Sequence, residues 1–161
     1  MTTTLLFVCL GNICRSPTAE AVMRHHAGAA GLDVTVDSAG TSDWHIGNPP
    51  YGPAIAAGKA RGYDLSPLRA RQFTPADFER FGHIVAMDAA NLADIEAQRP
   101  AGNTTPVTLC LSHAAGDTPR DVPDPYYTRD FDEALNLIEA ASAGLIAQLS
   151  QNRSAVCPND R

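Results

Sequence analysis

The chain has 161 residues, a length typical of one domain. Hydrophobic residues make up 44% and charged residues 19% of the sequence, which is enough apolar material for a core that needs no disulfide or metal to stabilise it. The formal net charge of −6 at pH 7 argues against a nucleic-acid-binding protein, because such domains are usually basic. No apolar run approaches the roughly 18–20 residues of a membrane span, and the start of the chain lacks the basic region of a signal peptide, so we expect a cytoplasmic protein without membrane association.

Short apolar runs alternate along the chain with amphipathic stretches, which predicts strands alternating with helices. In chain order the predicted elements are strand 5–9, helix 17–30, strand 33–38, helix 53–61, a short helix from Pro75, strand 83–87, helix 89–98, strand 107–111 and helix 129–149. Ser16 is the predicted N-cap of the first helix, and Thr74 that of the short helix. We expect residues 40–52 and 112–127 to form long loops, and the polar tail 151–161 to fray.

This alternation predicts a parallel sheet with helices on both faces. Ligands in such sheets bind beyond the carboxyl ends of the strands. The two long loops and the turn after the first strand all fall at that edge. The sequence therefore predicts a site built from residues 9–16, 40–52 and 112–127.

The four cysteines are Cys9, Cys14, Cys110 and Cys157. In a chain without an export signal, a disulfide framework is not expected. Cys9 and Cys14 lie five positions apart, and no second Cys/His pair follows at ligand spacing, so a zinc site is not expected either.

The segment Cys-Leu-Gly-Asn-Ile-Cys-Arg-Ser-Pro, residues 9–17, lies between the first predicted strand and helix. A loop in this position directs successive backbone N–H groups and a helix N-terminus at one point, which makes an anion-binding cradle. Gly11 and Asn12 tolerate the positive φ that such a tight loop requires, and the planar guanidinium of Arg15 can hold two oxygens of a tetrahedral oxyanion. At the base of the cradle, these dipoles and the guanidinium favour the thiolate of Cys9, which is then placed to attack a bound phosphate in line.

The spacing Cys-x5-Arg-Ser resembles the signature of the low-molecular-weight protein-tyrosine phosphatases. The similarity continues through residues 17–21, 37–41, 46–50 and 87–88 and ends with Asp-Pro-Tyr-Tyr at 124–127, so that it covers residues 4–149 in the order of the family. It implies a single α/β domain over residues 1–161, with three α/β/α layers and a four-stranded parallel sheet of the Rossmann or flavodoxin-like type.

The resemblance also implies a hydrolase that removes phosphate from phosphotyrosine in proteins, and from small aryl phosphates, through a phosphocysteine intermediate. Cys9 would be the nucleophile, Arg15 would bind substrate and stabilise the transition state, and Asp124 would act as general acid and then as base. The implied phosphate-binding loop consists of Leu10, Gly11, Asn12, Ile13, Cys14, Arg15 and Ser16. The implied substrate rim consists of Trp44, His45, Tyr126 and Tyr127.

Three further roles follow from the resemblance. Ser16 would donate a hydrogen bond to the Cys9 thiolate, and Asn12 would hold the loop in its strained shape. Cys14 is the redox candidate, because the family's corresponding cysteine can form a reversible disulfide with the nucleophile. Some members also carry a histidine that bonds the loop asparagine, but residues 66–72 here contain none, which leaves Ser38 and Arg71 as candidate anchors for Asn12.

The implied partners are tyrosine-phosphorylated proteins, a cognate tyrosine kinase, and phosphate or other oxyanions in the active site. No cofactor or metal is implied, since arginine and backbone amides supply the positive charge. We expect a monomer or weak homodimer, and the alanine- and arginine-rich composition indicates a bacterial source.

Two alternatives remain at this stage. A thioredoxin-linked arsenate reductase shares the fold and the loop, but it needs two further cysteines to relay a disulfide. Residues 87–98 contain no cysteine, and Cys110 and Cys157 are far apart in sequence. A non-catalytic phosphoprotein-binding module would have lost the nucleophile or the acid, yet both Cys9 and Asp124 are present.

Overall fold

The computed structural model describes residues 2–156 of the chain. The strands are β1 (Thr3–Cys9), β2 (Val34–Gly40), β3 (His83–Ala86) and β4 (Val107–Leu109). The helices are α1 (Arg15–Ala29), α2 (Gly52–Ala60), α3 (Asp77–Arg80), α4 (Ala89–Glu96), α5 (Pro125–Thr128) and α6 (Phe131–Val156). Within the described residues the strands form one four-stranded parallel sheet in the order β2-β1-β3-β4, as predicted. Cys157 and the rest of the predicted tail beyond residue 156 lie outside the described residues.

The central strand β1 is buried on both faces, as its continuous apolar run predicts. Leu5 and Phe7 pack with residues of α1, α2 and α6 on one face of the sheet. Leu6 and Val8 pack on the other face, where α3 and α4 contribute Phe78 and Ile95. The chain therefore has the predicted three-layer α/β/α architecture.

The register of the sheet brings the predicted site segments together. Cys9, the last residue of β1, pairs with Gly40, the last residue of β2, and Val8 pairs with Ala86 at the end of β3. Since the strands are parallel, the segments that follow them all leave from the same edge.

Both predicted helix caps are wrong. α1 begins at Arg15, before the predicted start at residue 17, and its N-cap residue is Cys14. The Ser16 hydroxyl is inside the helix and bonds to partners in the site described below. The short helix α3 begins later than predicted, and the backbone N–H of Thr74 donates to Asp77 Oδ2 at 2.9 Å, with no side-chain cap formed by Thr74.

Other element boundaries also differ from the prediction, most of all in the second half of the chain. β4 ends at Leu109 because a 3₁₀ turn, Cys110–His113, takes the last residues of the apolar run. The predicted loop 112–127 contains the start of the one-turn helix α5, and α6 continues past residue 149 to Val156. α6 crosses the 3₁₀ turn at Gly144, where an added Cβ would lie 1.6 Å from the His113 carbonyl oxygen, so only glycine fits this crossing.

None of the helices among residues 2–156 is both long enough and apolar enough to cross a membrane.

Candidate active site

The turn between β1 and α1, here called the β1–α1 loop (residues 10–14), curls over the end of β1. Asn12 has a φ of 57°, a left-handed conformation that asparagine adopts more readily than most residues. In this conformation its backbone N–H donates to Cys9 Sγ at 3.3 Å. The loop therefore directs a backbone dipole at the sulfur.

The prediction that Gly11 also supplies a positive φ is wrong, because its φ lies outside the left-handed region. Its small size serves a different purpose. A Cβ added to Gly11 would lie 3.0 Å from Cδ2 of His45, so the absence of a side chain allows the His45 ring to rest on the loop backbone.

Cys9 is only 3% exposed and lies against the first turn of α1. Its Sγ is 3.0 Å from Ser16 Oγ. The Ser16 hydroxyl has a second acceptor, the Ala39 carbonyl oxygen, at the longer distance of 3.4 Å. A hydroxyl so placed can donate to a thiolate at Cys9, which explains why Ser16 does not cap the helix.

The side chain of Asn12 fixes the β1–α1 loop to the rest of the fold. Its amide Nδ2 donates to Ser16 Oγ at 2.8 Å and to Ser38 Oγ at 3.0 Å, and its Oδ1 accepts from the backbone N–H of Arg71 at 3.0 Å. Both candidate anchors, Ser38 and Arg71, are therefore confirmed. These bonds offset the cost of holding a non-glycine residue at positive φ.

A buried carboxylate continues this network away from the loop. Ser38 Oγ donates to Glu20 Oε1 at 2.6 Å, and Arg24 pairs with the other oxygen of Glu20 while also donating to the Val36 carbonyl oxygen at 2.6 Å. No individual role was predicted for Glu20 from the sequence. The pairing with Arg24 neutralises a carboxylate that would otherwise be costly to bury.

Arg15 is 3% exposed and is directed into the site by two polar groups. Its Nη1 donates to Asp88 Oδ2 at 2.7 Å and to the Val122 carbonyl oxygen at 3.1 Å. Burial alone would lower the pKa of Arg15, but the negative charges of Cys9, Asp124 and Asp88 outweigh burial and hold the pKa above its ordinary value. Arg15 is therefore a permanent cation here.

No role in the site was predicted for Asp88. It follows β3 at the carboxyl edge of the sheet, and its other oxygen accepts from the backbone N–H of Asn91 at 2.7 Å, capping α4. Asp88 thus ties the Arg15 guanidinium to a rigid helix start. The available signal was its position directly after the predicted strand 83–87, at the edge where the site was expected.

Asp124, the N-cap of α5, lies near the other terminal nitrogen of Arg15. Its Oδ1 accepts from the Tyr126 backbone N–H at 3.1 Å, and its Oδ2 is 3.5 Å from Arg15 Nη2. The cap orients the carboxyl group toward the loop from a segment more than one hundred residues further along the chain.

Cys9, Arg15 and Asp124 line one pocket with a volume of about 250 Å³. It is lined by Cys9, Leu10, Gly11, Ile13, Cys14, Arg15, Trp44, His45, Asp124, Tyr126 and Tyr127. The four predicted rim residues all line it, and Trp44 and Tyr127 are 66% and 70% exposed at its mouth. Asn12 and Ser16, the remaining loop residues of the prediction, lie behind the pocket wall.

Cys14 lines the same pocket but is chemically unlike a thiolate. Burial, followed by the negative charges of Cys9 and Asp124, raises the pKa of Cys14 to about 12. The thiol is therefore neutral at physiological pH. In the described part of the chain, Cys9, Cys14 and Cys110 are all free cysteines.

Among residues 2–156, no group of three or more His, Cys, Asp or Glu side chains is arranged to hold a metal ion.

Comparison with known proteins gives a consistent result along almost the whole chain. The family model described as low molecular weight phosphotyrosine protein phosphatase matches residues 4–155. The low molecular weight protein-tyrosine-phosphatase YfkJ of Bacillus subtilis is 39% identical over 151 residues, which cover 92% of this chain and 97% of that protein. A low molecular weight protein-tyrosine-phosphatase of Streptomyces coelicolor is 44% identical over 162 residues, covering 94% and 96% of the two chains.

Solved structures agree. The crystal structure of YfkJ superposes with a TM-score of 0.90 at 38% identity, covering 94% of this chain and 97% of that one. A protein tyrosine phosphatase from Entamoeba histolytica, with Hepes in its active site, gives a TM-score of 0.88 at 34% identity, covering 94% and 99%.

The fold, the pocket and these matches together define a protein-tyrosine phosphatase, an enzyme of the hydrolase class. Within that class the chain belongs to the low molecular weight phosphotyrosine protein phosphatase family. The resemblance found in the sequence is thereby confirmed, and the family implies substrates that contain phosphotyrosine.

Proposed function

We propose that the enzyme hydrolyses phosphotyrosine in proteins, and small aryl phosphates, in two steps through a phosphocysteine on Cys9. In the first step the sulfur attacks phosphorus, the bond from phosphorus to the tyrosine oxygen breaks, and Asp124 gives its proton to that oxygen. In the second step Asp124 takes a proton from water, whose oxygen attacks phosphorus and releases phosphate and the Cys9 thiolate. The observation that carries the proposal is the common pocket of the Cys9 sulfur, the Arg15 guanidinium and the Asp124 carboxyl.

The charges around the sulfur support this route. The Asn12 N–H and the Ser16 hydroxyl, at 3.3 Å and 3.0 Å from Cys9 Sγ, would stabilise the thiolate both as attacking and as leaving group. Arg15 and the amides of the phosphate-binding loop, Leu10 to Ser16, would stabilise the equatorial oxygens of the transition state. Since these groups supply positive charge, the proposed reaction needs no metal and no cofactor.

The rim supports an aryl substrate. Trp44, His45, Tyr126 and Tyr127 surround the mouth of the pocket, and their rings offer faces and edges against which a phosphotyrosine ring can pack. Phosphate and other oxyanions would occupy the base of the same pocket.

Cys14 is proposed to protect the nucleophile. Peroxide would oxidise the Cys9 thiolate to a sulfenic acid, which the Cys14 thiol would convert to a disulfide with release of water. Because the raised pKa keeps Cys14 protonated, Cys9 is the first sulfur to react with peroxide, and the Cys14 thiol would lose its proton as it attacks the sulfenic acid.

The wider setting is also a proposal. The bacterial relatives support a bacterial enzyme. We propose that it acts in the cytoplasm on proteins phosphorylated by a cognate tyrosine kinase, as a monomer or weak homodimer. Size-exclusion chromatography of the full chain and cell fractionation test these points, and a stable higher oligomer or an extracytoplasmic location would contradict them.

The decisive assay compares three proteins on two esters in the presence of a metal chelator. Cys9→Ser is expected to abolish hydrolysis while retaining phosphate binding. Asp124→Asn is expected to reduce hydrolysis of phenyl phosphate by about a hundredfold or more, and that of an ester with an acidic leaving phenol far less, because only the poor leaving group needs the proton. Turnover by Cys9→Ser, or equal losses on both esters, would contradict the assignment. Arsenate reduction with thioredoxin and no phosphatase activity would favour the alternative enzyme.

A further inference from the structure

Arg129 closes the one-turn helix α5, which carries Asp124 at its start, in a conformation unusual for its residue type. Its φ is 65°, in the left-handed region, and its backbone N–H donates to the Pro125 carbonyl oxygen at 2.9 Å. A Cβ is unfavourable in this region, so a residue other than glycine keeps the conformation only where its surroundings hold it. The side chain of Arg129 shows what those surroundings are.

The guanidinium of Arg129 contacts aromatic residues next to the active-site pocket. Its Nη1 donates to the Tyr51 hydroxyl at 3.1 Å and to the Tyr126 carbonyl oxygen at 3.3 Å. Its central carbon lies 5.3 Å from the centre of the Tyr51 ring and 5.5 Å from that of Phe131, distances at which a cation is attracted to an aromatic ring. One side chain therefore joins three aromatic residues.

Through Tyr126 this contact reaches the proposed acid. The backbone N–H of Tyr126 donates to Asp124 Oδ1 at 3.1 Å, while the carbonyl of the same residue accepts from Arg129. Tyr126 is thus held at both ends, and a change at its carbonyl end alters the direction of the N–H that orients the Asp124 carboxyl.

Through Tyr51 the contact reaches the β1–α1 loop. The backbone N–H of Tyr51 donates to the Ile13 carbonyl oxygen at 2.8 Å, and its ring packs on the ring of Tyr126 with centroids 5.2 Å apart. Arg129 therefore bridges the wall that carries the nucleophile and the wall that carries the acid, although it does not itself line the pocket.

We propose that Arg129 is a positioning residue for protonation of the leaving group, which acts through Tyr126 and Tyr51 to fix the Asp124 carboxyl relative to Cys9. The inference rests on the proposed function. As the bond from phosphorus to the phenolic oxygen breaks, the proton of the Asp124 carboxyl passes to that oxygen, and Arg129 sets the distance over which it passes.

The test is the leaving-group dependence of kcat/KM in Arg129→Met. Methionine faces the same backbone strain and retains an apolar stem over the rings, so this variant removes only the guanidinium. Because general acid catalysis contributes about a hundredfold to ten-thousandfold, a partly misplaced acid is expected to lower kcat/KM about tenfold for phenyl phosphate and less than about twofold for 2,4-dinitrophenyl phosphate. Arg129→Lys, whose ammonium can restore one hydrogen bond, is expected to recover most of the loss.

Two further variants make the test specific. Tyr51→Phe removes one acceptor of Arg129 and is expected to give the same selective loss at smaller size. The double variant Arg129→Met/Tyr51→Phe is expected to lose no more activity than Arg129→Met alone. Arg99→Met is the matched control, because Arg99 makes the same two kinds of contact outside the site. Its guanidinium lies 5.0 Å from the centre of the Phe78 ring, and its Nη1 donates to the Asn103 carbonyl oxygen at 3.1 Å. It is expected to leave both esters unaffected.

The outcomes separate this inference from the function on which it rests. If the wild-type protein hydrolyses neither ester, the proposed function fails and the inference with it. If the wild-type protein is active and Arg129→Met loses nothing, loses equally on both esters, or behaves as Arg99→Met does, then Arg129 does not position the acid and only the inference is overturned. Circular dichroism melting of each variant identifies a loss due to unfolding, which would affect both esters equally.

Discussion

Replacement of Gly40 by alanine tests how closely β2 must approach the β1–α1 loop. Gly40 pairs with Cys9 at the ends of the two strands, and its own N–H and carbonyl are bonded to the backbones of Arg71 and Phe73 at 2.9 Å and 2.7 Å. A Cβ on residue 40 would lie 2.8 Å from the Leu10 carbonyl oxygen and 3.1 Å from the backbone nitrogen of Asn12. Both neighbours are backbone atoms, so no side-chain rotation can relieve the overlap.

The size of the effect follows from these distances. The contact to the Leu10 oxygen is 0.6 Å shorter than the 3.4 Å at which ordinary van der Waals contact begins, so the loop must recede by about that amount. Insertion of a methyl group into a packed region costs about 1–3 kcal/mol of stability. Since a misplacement of about 1 Å can cost about a hundredfold in rate, we expect Gly40→Ala to lower kcat/KM for para-nitrophenyl phosphate by about tenfold.

Two other glycines serve as controls in the same assay. A Cβ on Gly58 would lie 2.6 Å from Cδ1 of Leu65, the movable end of a side chain on the α2 side of the fold, so Gly58→Ala should lower stability while activity is kept. A Cβ on Gly28 would meet nothing within 4 Å, so Gly28→Ala should raise helix stability by about 0.5 kcal/mol. Urea unfolding gives the stabilities. Wild-type turnover by Gly40→Ala, or an equal loss in Gly58→Ala, would refute the reasoning.

Two further predictions concern titration and oxidation. Burial lowers the pKa values of His83 and His113 below the ordinary 6.5. The unfolded chain therefore binds more protons in acid than the folded chain, and the free energy of unfolding should fall as the pH drops through 6.5. The fall should reach at most about 1.4 kcal/mol per pH unit for each imidazole. Urea unfolding from about pH 8 to pH 5 should show a shallower decline in the His83→Gln/His113→Gln variant, and identical curves would exclude this source. After peroxide treatment, a dithiol should restore activity to the wild-type protein but not to Cys14→Ser. The reason is that Cys9 without a resolving thiol is oxidised further to sulfinic acid, which a dithiol does not reduce. Equal recovery of the two proteins would show that Cys14 does not protect Cys9.

Local sequence patterns were sufficient for the parts of the site that depend on neighbours in the chain. A buried run followed by the residues from Cys9 to Ser16 predicted a strand, a tight turn and a helix in that order, and the structure has all three. The parallel sheet followed from the alternation of elements, and it placed the segment of Asp124 at the same edge as Cys9.

The contacts that orient the site could not be predicted in this way, because they join distant parts of the chain. Arg15 meets Asp88 across 73 positions, and Asn12 meets Arg71 across 59. The error at Ser16 has the same cause. Serine suits an N-cap by its chemistry, but the fold brings Cys9 and Asn12 to its hydroxyl, and these partners replace the helix N–H groups.

The error at the end of β4 has a different cause. Cys110 and Leu111 continue an apolar run and are buried, which is all that hydrophobic pattern can report. Their burial is achieved in a 3₁₀ turn packed under α6 and not in a strand, and the close crossing of this turn requires Gly144, which lies more than thirty residues later in the chain.

The dependence of Asn12 on Ser38 and on the Arg71 amide has a consequence for protein engineering. A graft of only the nine residues 9–17 onto another α/β scaffold would transfer the nucleophile and the arginine. It would leave the Asn12 amide without its acceptor on β2, the Ser38 hydroxyl, and without its donor beyond α2, the Arg71 backbone N–H. The transplanted turn would then relax out of its left-handed kink. A working graft must therefore carry three separate stretches of backbone, and natural recombination of this turn between unrelated folds meets the same obstacle.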